Sequence, residues 1–260
     1  MSNRFLRTLM LSGSVMLAAC ASQPAPDSSY ERFMRLAADL EKRGDPATAA
    51  GLYDKATQQP EAQQQAWLKL GETRLASGDA RGAERAYQQA LELKPEDPDA
   101  LLGLGTAQLR EGKLDRAVTV LTQASARGDQ PQALNRLGIA QILRGHAEEA
   151  QSAFGKSLAL TPNDLDTRCN LALAYALGGQ SQQALSTIAT IGSSARALPR
   201  HQRNQLLVTV LAGHDSDVQA LRLDDIPAAE RQKLLTEAQR IKAIQDPQTR
   251  ARELGLIDSH

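Results

Sequence analysis

A period of about 34 residues runs through most of the chain, and it restricts the fold more than any other feature. An alanine recurs in steps of 34, 34, 33 and 34, at Ala49, Ala83, Ala117, Ala150 and Ala184. A glycine stands five residues before each alanine, at Gly44, Gly78, Gly112, Gly145 and Gly179. Such a period is typical of a solenoid, in which each unit buries its apolar face against the next. Aromatic residues are only 3% of the chain, which favours closely packed helices over a β-sheet.

Further columns keep the same spacing and indicate two helices per unit. A small residue twelve positions before the alanine recurs at Ala37, Gly71, Gly105, Gly138 and Ala172. A larger residue recurs four positions after the alanine, at Tyr53, Tyr87, Leu121, Phe154 and Ile188. The small residue and the alanine predict close contact between the two helices, and the large residue fills the space between units. The glycine predicts a left-handed end to the first helix, and prolines end the units at Pro60, Pro95 and Pro162.

The columns resemble the tetratricopeptide repeat (TPR). Trp67-x-x-Leu70-Gly71, followed by Ala83, Tyr87, Ala90 and Pro95, is close to the signature of that family. The resemblance implies an all-α, right-handed α-solenoid with five repeats over residues 30–198. The repeats are placed at about 30–63, 64–97, 98–130, 131–164 and 165–198.

Residues 199–260 predict a helical extension that caps the open end of the solenoid. Pro199 to Ala212 is expected to form one more first helix, ended by Gly213, with Val218 to Leu223 as a short partner. A longer amphipathic helix is expected over Pro227 to Ile244, with an apolar stripe of Leu234, Leu235, Ala238, Ile241 and Ala243. The last fifteen residues are expected to be poorly ordered.

The N-terminus predicts an export signal over residues 1–19. Arg4 and Arg7 precede a mostly apolar stretch, Thr8 to Leu17, which is too short to span a bilayer. It ends in Leu17-Ala18-Ala19-Cys20, which resembles the bacterial lipobox, in which the cysteine is acylated and the bond before it is cut. Residues 20–29 are then the lipidated cysteine and a flexible tether. The alternative is an ordinary signal peptide followed by a chance cysteine.

The resemblance to bacterial lipoproteins implies two or three acyl chains, which would hold the protein firmly at a membrane. Ala21 in place of Asp implies transport to the outer membrane, facing the periplasm. The formal net charge is zero, and removal of residues 1–19 leaves 28 basic and 30 acidic side chains. That balance gives no electrostatic reason to expect nucleic acid as a partner.

Residues that could carry chemistry are scarce. The histidines, His146, His201, His214 and His260, share no metal-ligand spacing. Cys169 falls within a first helix and is expected to be a small packing residue. No glycine-rich phosphate loop follows a strand. We therefore expect no enzyme, no metal, no cofactor apart from the covalent lipid, and no small-molecule substrate.

TPR arrays bind partners along the groove formed by their first helices. The residues counted onto that groove are Leu68, Glu72, Leu75, Leu102, Thr106, Leu109, Asn135, Ile139, Ile142, Cys169, Leu173 and Leu177. Because the set is mostly apolar, it predicts an amphipathic helix or an extended apolar segment as ligand, docked by burial. The alternative is that about half of these side chains pack between neighbouring first helices.

Lipobox and repeats together resemble the TadD-type TPR lipoproteins of the tight-adherence (Tad) system, which assembles Flp pili. The likeness lies in residues 135–138 (NRLG), 141–150 (QILRGHAEEA), 161–164 (TPND), 170–174 (NLALA) and 200–213 (RHQRNQLLVTVLAG). It implies an outer-membrane accessory protein, with the secretin or another pilus-assembly component as partner. Only Cys20 carries over as a functional position. The alternatives are a type IV pilus pilotin or an envelope-assembly accessory lipoprotein.

Overall fold

The computed structural model describes residues 28–127, 129–191 and 194–255, and every regular element in these ranges is helical. The first five helix pairs are α1 (Ser29–Lys42) with α2 (Pro46–Thr57), α3 (Gln64–Ala76) with α4 (Ala80–Leu93), α5 (Pro98–Arg110) with α6 (Leu114–Ala126), α7 (Pro131–Leu143) with α8 (Ala147–Leu160), and α9 (Leu165–Leu177) with α10 (Ser181–Ala189). They are followed by α11 (Pro199–Leu211), a 3-10 helix (Asp215–Ala220), α12 (Ala228–Ala243) and α13 (Pro247–Glu253).

Each turn within a pair is built on the predicted glycine. The φ angles of these glycines are +78°, +85°, +72°, +80° and +75°, at Gly44, Gly78, Gly112, Gly145 and Gly179. A residue with a Cβ is strained in this region, so the expected left-handed end of the first helix is confirmed. The chain then re-enters a helix at once, with Asp45 and Asp79 accepting hydrogen bonds from main-chain N–H groups at the start of α2 and α4.

The two helices of a pair meet through the predicted small and large residues. All five alanines of the repeating column are fully buried, and so are the large residues that follow them, with at most 3% exposed. The ring of Tyr87 lies between Gly71 of its own pair and Gly103 of the next. A Cβ built on Gly71 would lie 2.6 Å from the Cζ of Tyr87, and a Cβ built on Gly103 would lie 2.2 Å from the same atom. The large residue therefore holds both the pair and its neighbour.

The C-terminal extension continues the stack. Helix α11 packs on α9 and α10, and α12 packs on α11. Between them lies a small core of Leu206, Val210, Val218, Leu223, Ile226 and Ala238. The short partner helix expected over Val218 to Leu223 lies earlier, as the 3-10 helix Asp215–Ala220, and residues 221–223 are not helical. Gly213 has a φ of +90°, as the expected helix stop requires. Ala243 is exposed and does not belong to the apolar stripe.

The expectation of poor order over the last fifteen residues is wrong for the part that the structure describes. Residues Pro247–Glu253 form α13, which folds back onto α7. Ala251 of α13 is fully buried. Residues 256–260 lie outside the described part of the chain.

Candidate partner-binding surface

The first helices of successive pairs form one continuous surface. Helix α3 contacts α5, α5 contacts α7, α7 contacts α9, and α9 contacts α11. We call these helices, together with α1, the first-helix row. Stacked repeats present such a row as an extended binding surface.

Half of the predicted groove residues are buried within this row. They are Thr106, Leu109, Ile139, Ile142, Cys169 and Leu173, each at most 8% exposed. All except Thr106 belong to one apolar cluster that runs from α5 to α11. All six are covered in the folded chain, Ile142 in part by α13, so the expectation that they line an open groove is wrong. The alternative, in which about half of the set packs between first helices, accounts for the other five.

The other six predicted residues keep accessible surface. Leu68, Leu75, Leu102 and Leu177 are partly buried against core clusters. Asn135 is half-buried, and Glu72 is exposed with its carboxylate 2.6 Å from Lys69 Nζ. Their role in binding a partner stays a prediction.

A cavity of about 450 Å³ opens between the start of α7, the loop that leads into α9, and Arg196. We call it the α7–α9 cavity. Six of its eight lining residues have polar side chains; the lining comprises Pro131, Gln132, Asn135, Thr161, Pro162, Asn163, Asp164 and Arg196. Asn135 also accepts a hydrogen bond at its Oδ1 from the Nδ2 of the buried Asn170, at 3.1 Å. A primary amide both donates and accepts hydrogen bonds, as a peptide main chain does. The cavity is therefore chemically suited to an extended peptide segment.

A second cavity, of about 370 Å³, lies between α1 and α3. Arg35, Gln65 and Lys69 line it beside Met34 and Tyr30. The Tyr30 hydroxyl is buried and has no hydrogen-bond partner within the described residues. Burial raises the pKa of this hydroxyl, so it can act only as a neutral hydrogen-bond donor or acceptor.

Polar residues one position after the predicted ones also belong to the row, and the sequence reasoning missed them. Lys69, Arg136 and Asn170 each follow a predicted groove residue. Successive helical residues are about 100° apart, so two adjacent positions can face the same neighbouring helix. Burial, and then the nearby Arg110, lower the pKa of Arg136 below its ordinary value. Lys69 and Arg136 keep accessible surface, whereas Asn170 is only 4% exposed, so the accessible row gains two cationic side chains that the sequence reasoning did not count.

Cys169 is 1% exposed, and burial raises the pKa of its thiol to about 12. A thiol in this state is a poor nucleophile. The prediction that Cys169 is a packing residue is confirmed.

His201 has a partner that the spacing of the histidines did not indicate. Its Nδ1 accepts a hydrogen bond from the Leu198 N–H at 2.9 Å, so the ring proton lies on Nε2, 2.8 Å from Asp166 Oδ1. Arg200 donates to both oxygens of the same carboxylate at 2.8 and 2.9 Å. The hydrogen bond from Arg200, and then that from His201, lower the pKa of Asp166 to about 2. This cluster ties α9 to α11.

Within residues 28–127, 129–191 and 194–255, no group of three or more His, Cys, Asp or Glu side chains could hold a metal ion. In the same ranges, no helix has the length and apolar character needed to cross a membrane. Cys20, the predicted lipid attachment site, lies outside the described residues.

Comparisons with known sequences agree with the repeat architecture. Residues 33–139 match the family described as the cilia and flagella-associated protein 70 middle TPR-like domain. Over 240 residues the chain is 28% identical to cellulose synthase operon protein C of Xanthomonas axonopodis pv. citri, with 86% of this chain covered. It is 26% identical over 214 residues to the protein of the same name from Pseudomonas fluorescens. The chain spans only 15% and 17% of the lengths of these relatives.

Solved structures share the fold at low sequence identity. A TPR protein from Parabacteroides merdae has a TM-score of 0.68 at 16% identity, covering 89% of this chain and 93% of its own. PilF from Pseudomonas aeruginosa has a TM-score of 0.63 at 16% identity, covering 80% of this chain and 97% of its own. At such identities the likeness bears on the fold alone. With its stacked helix pairs and left-handed glycine turns, the chain has the fold of a tetratricopeptide-repeat solenoid.

Proposed function

We propose that this protein is a non-catalytic, lipid-anchored scaffold for assembly of the Tad/Flp pilus. It is held at the outer membrane through a lipid on Cys20 and faces the periplasm. It helps the secretin to localise or to oligomerise by binding a segment of the secretin, or of another pilus-assembly component, along the first-helix row. The observation that carries the binding role is the open α7–α9 cavity with its amide side chains.

The accessible chemistry of the row supports a peptide as ligand. Gln132, Asn135 and Asn163 offer amide groups to the cavity, and Leu102 offers partly buried apolar surface on α5. An extended segment would form hydrogen bonds between its main-chain N–H and C=O groups and these amides, and it would bury every second side chain. A ligand docked wholly by apolar burial, as the sequence predicted, is less well matched to this row.

Support for the lipid anchor comes from the amino-acid sequence. The lipobox-like run ending at Cys20 precedes a small, polar, proline-containing tether, which would let the repeats reach a channel being built in the same membrane. Two or more acyl chains give stable attachment, since each buried methylene contributes about 0.8 kcal/mol.

The test is recovery of the secretin with the protein from detergent-solubilised outer membranes. Gln132 is exposed and lines the cavity, whereas Gln123 is exposed on the second helix α6, so Gln132→Trp and Gln123→Trp form a matched pair. We expect Gln132→Trp to reduce secretin recovery and Gln123→Trp to leave it unchanged. Absence of the secretin from the unaltered protein's eluate, or equal recovery with both variants, would contradict the proposal.

The likeness in fold to PilF of Pseudomonas aeruginosa favours one second candidate, a type IV pilus pilotin. An envelope-assembly accessory lipoprotein is a further alternative. The proteins that co-purify separate the three. A Tad secretin supports the proposal, a type IV pilus secretin supports the second candidate, and envelope-assembly proteins without a secretin support the third.

A further inference from the structure

Helix α13 occupies part of the first-helix row. Ala251 is fully buried in the same apolar cluster as Ile142 and Leu143 of α7, and Leu254 packs against that cluster. A gap of about 20 Å³ remains between α13 and the row, lined by Ile142, Gly145, Ala147, Leu177, Pro247 and Arg250. That gap has room for about one water molecule. Two predicted groove residues, Ile142 and Leu177, therefore already face a helix, supplied by the chain itself.

The surface on which α13 packs, lined by Ile142, Gly145 and Leu177, is called the seat of α13 below. It requires small residues on both sides. Gly145 has no side chain, and a Cβ built there would lie 3.1 Å from the Cβ of Pro247. Ala251 is the most deeply buried residue of α13, with no exposed surface. A larger side chain at either position would push α13 away from α7.

Helix α13 is amphipathic in the way that groove-bound helices are. The side of α13 that faces the row carries Pro247, Ala251 and, directly after the helix, Leu254. Their spacing is i, i+4 and i+7, which is the anchor pattern of helix-in-groove recognition. Arg252 and Glu253 lie on the exposed side.

Few polar contacts hold α13 to the repeats. Among the described residues, one hydrogen bond joins them, from Gln248 Nε2 to the main-chain oxygen of Arg144 at 3.3 Å. The other hydrogen bonds of α13 lie within the C-terminal extension, such as Thr249 N–H to Asp246 Oδ2 at 2.7 Å and Arg250 Nε to the Ile244 oxygen at 2.7 Å. The helix could leave the row without breaking its own caps.

We infer that the seat of α13 on α7 is a helix-docking site, filled by α13 in the free protein and by a partner's short amphipathic helix in the complex. The partner helix carries a small residue between two apolar anchors at i, i+4 and i+7. This inference rests on the proposed function, because it assumes that the first-helix row receives a partner. It differs from the α7–α9 cavity in place and in ligand class, a helix rather than an extended segment.

The test uses the full-length chain in detergent and a fluorescent peptide of residues 244–255 as probe. Ala251→Glu places a charge in the seat and opens it, whereas Arg252→Glu places the same charge on the exposed side of α13. In the unaltered chain the tethered α13 competes at an effective concentration that is commonly millimolar. We therefore expect the Ala251→Glu chain to bind the peptide about tenfold more tightly, or better, than the unaltered and Arg252→Glu chains. A peptide that itself carries Ala251→Glu should bind none of them.

Equal peptide binding by all three chains, with helix content unchanged by circular dichroism, would overturn the inference. The seven residues of α13 lose their helix when released, since so short a helix is not stable alone. If Ala251→Glu lowers the helix content by more than these seven residues, Leu254→Ser at the half-buried edge of the seat serves as the opening variant. A loss beyond α13 with both variants would also overturn the inference, because α13 would then be an integral part of the core. The assay contains no secretin, so its failure leaves the secretin-recovery result standing and is distinguishable from failure of the proposed function.

Discussion

The ring of Tyr87 lies directly on Gly71, so that a Cβ built on the glycine would be 2.6 Å from Tyr87 Cζ. The next two pairs repeat the arrangement, with 2.6 Å from Gly105 to Leu121 Cγ and 2.5 Å from Gly138 to Phe154 Cε1. In these three pairs the distance between the two helices is thus set by the absence of a side chain on the first helix.

Gly71→Ala should destabilise the repeats. Real Cβ contacts are almost never as close as 3.0 Å, so the ring or the helix must shift, and overpacking of this kind costs about 1–3 kcal/mol. Urea unfolding followed by circular dichroism measures the change as a lower midpoint.

Gly51→Ala is the matched control for that variant. Gly51 is exposed in the middle of α2, and a Cβ there meets nothing within 4 Å. Alanine should raise the free energy of unfolding by about 0.5–1 kcal/mol, since glycine is the poorer helix former. Equal shifts for Gly51→Ala and Gly71→Ala would show that the contact with Tyr87 does not limit the packing.

Gly78→Ala isolates the cost of the left-handed turn. A Cβ at Gly78 also meets nothing within 4 Å, but the φ angle is +85°. The variant should lose about 1–2 kcal/mol through backbone strain alone. A stability equal to or above that of the unaltered chain in the same urea assay would contradict the role given to the repeated glycines.

Asp166→Asn should weaken the join between α9 and α11 at neutral pH. The variant loses the charged pair with Arg200, and we expect a cost of about 1 kcal/mol, because the carboxylate is 36% exposed and solvent screens the pair. The pKa of Asp166 is lowered to about 2 in the folded chain, so its contribution is complete above the unfolded value of about 3.9. The contribution is lost as the pH falls toward 2.

The difference in stability between the Asp166→Asn variant and the unaltered chain should therefore shrink as the pH falls from 4 to 2. Asp224→Asn, in an exposed stretch before α12, is the control and should change little at any of these pH values. A difference for Asp166→Asn that grows as the pH falls would have the wrong sign for this ion pair.

Cys20→Ser should release the protein from the membrane without unfolding it. The predicted lipid attaches to the thiol, and the described repeats begin eight residues later, at Ser28. Fractionation of cells should move the protein from the membrane to the soluble fraction, with unchanged helix content in the purified chain. Normal pilus-channel assembly with the released protein would contradict the functional role of the anchor.

The repeat columns could be predicted from the sequence because each depends on one local requirement. A left-handed turn selects Gly44 and its equivalents, and a close helix contact selects Gly71 or Ala83. These requirements recur in every unit, so spacing alone reveals them.

The accessible surface could not be predicted in the same way. The period identifies equivalent positions, but whether Ile139 and Leu173 face solvent depends on how closely neighbouring first helices approach. The seat of α13 depends on a contact between residues 104 positions apart, Gln248 and Arg144, and no column marks it. Asp166 and His201 are likewise joined only by the stacking of α11 on α9.

The most direct test of the central claim is photo-crosslinking in cells from the two matched glutamines. A photoreactive amino acid at Gln132 lies at the α7–α9 cavity, whereas the same group at Gln123 lies on the second helix α6. The account predicts an adduct with the secretin from position 132 and none from position 123. An adduct from both positions, or none from position 132 in cells that assemble pili, would contradict it.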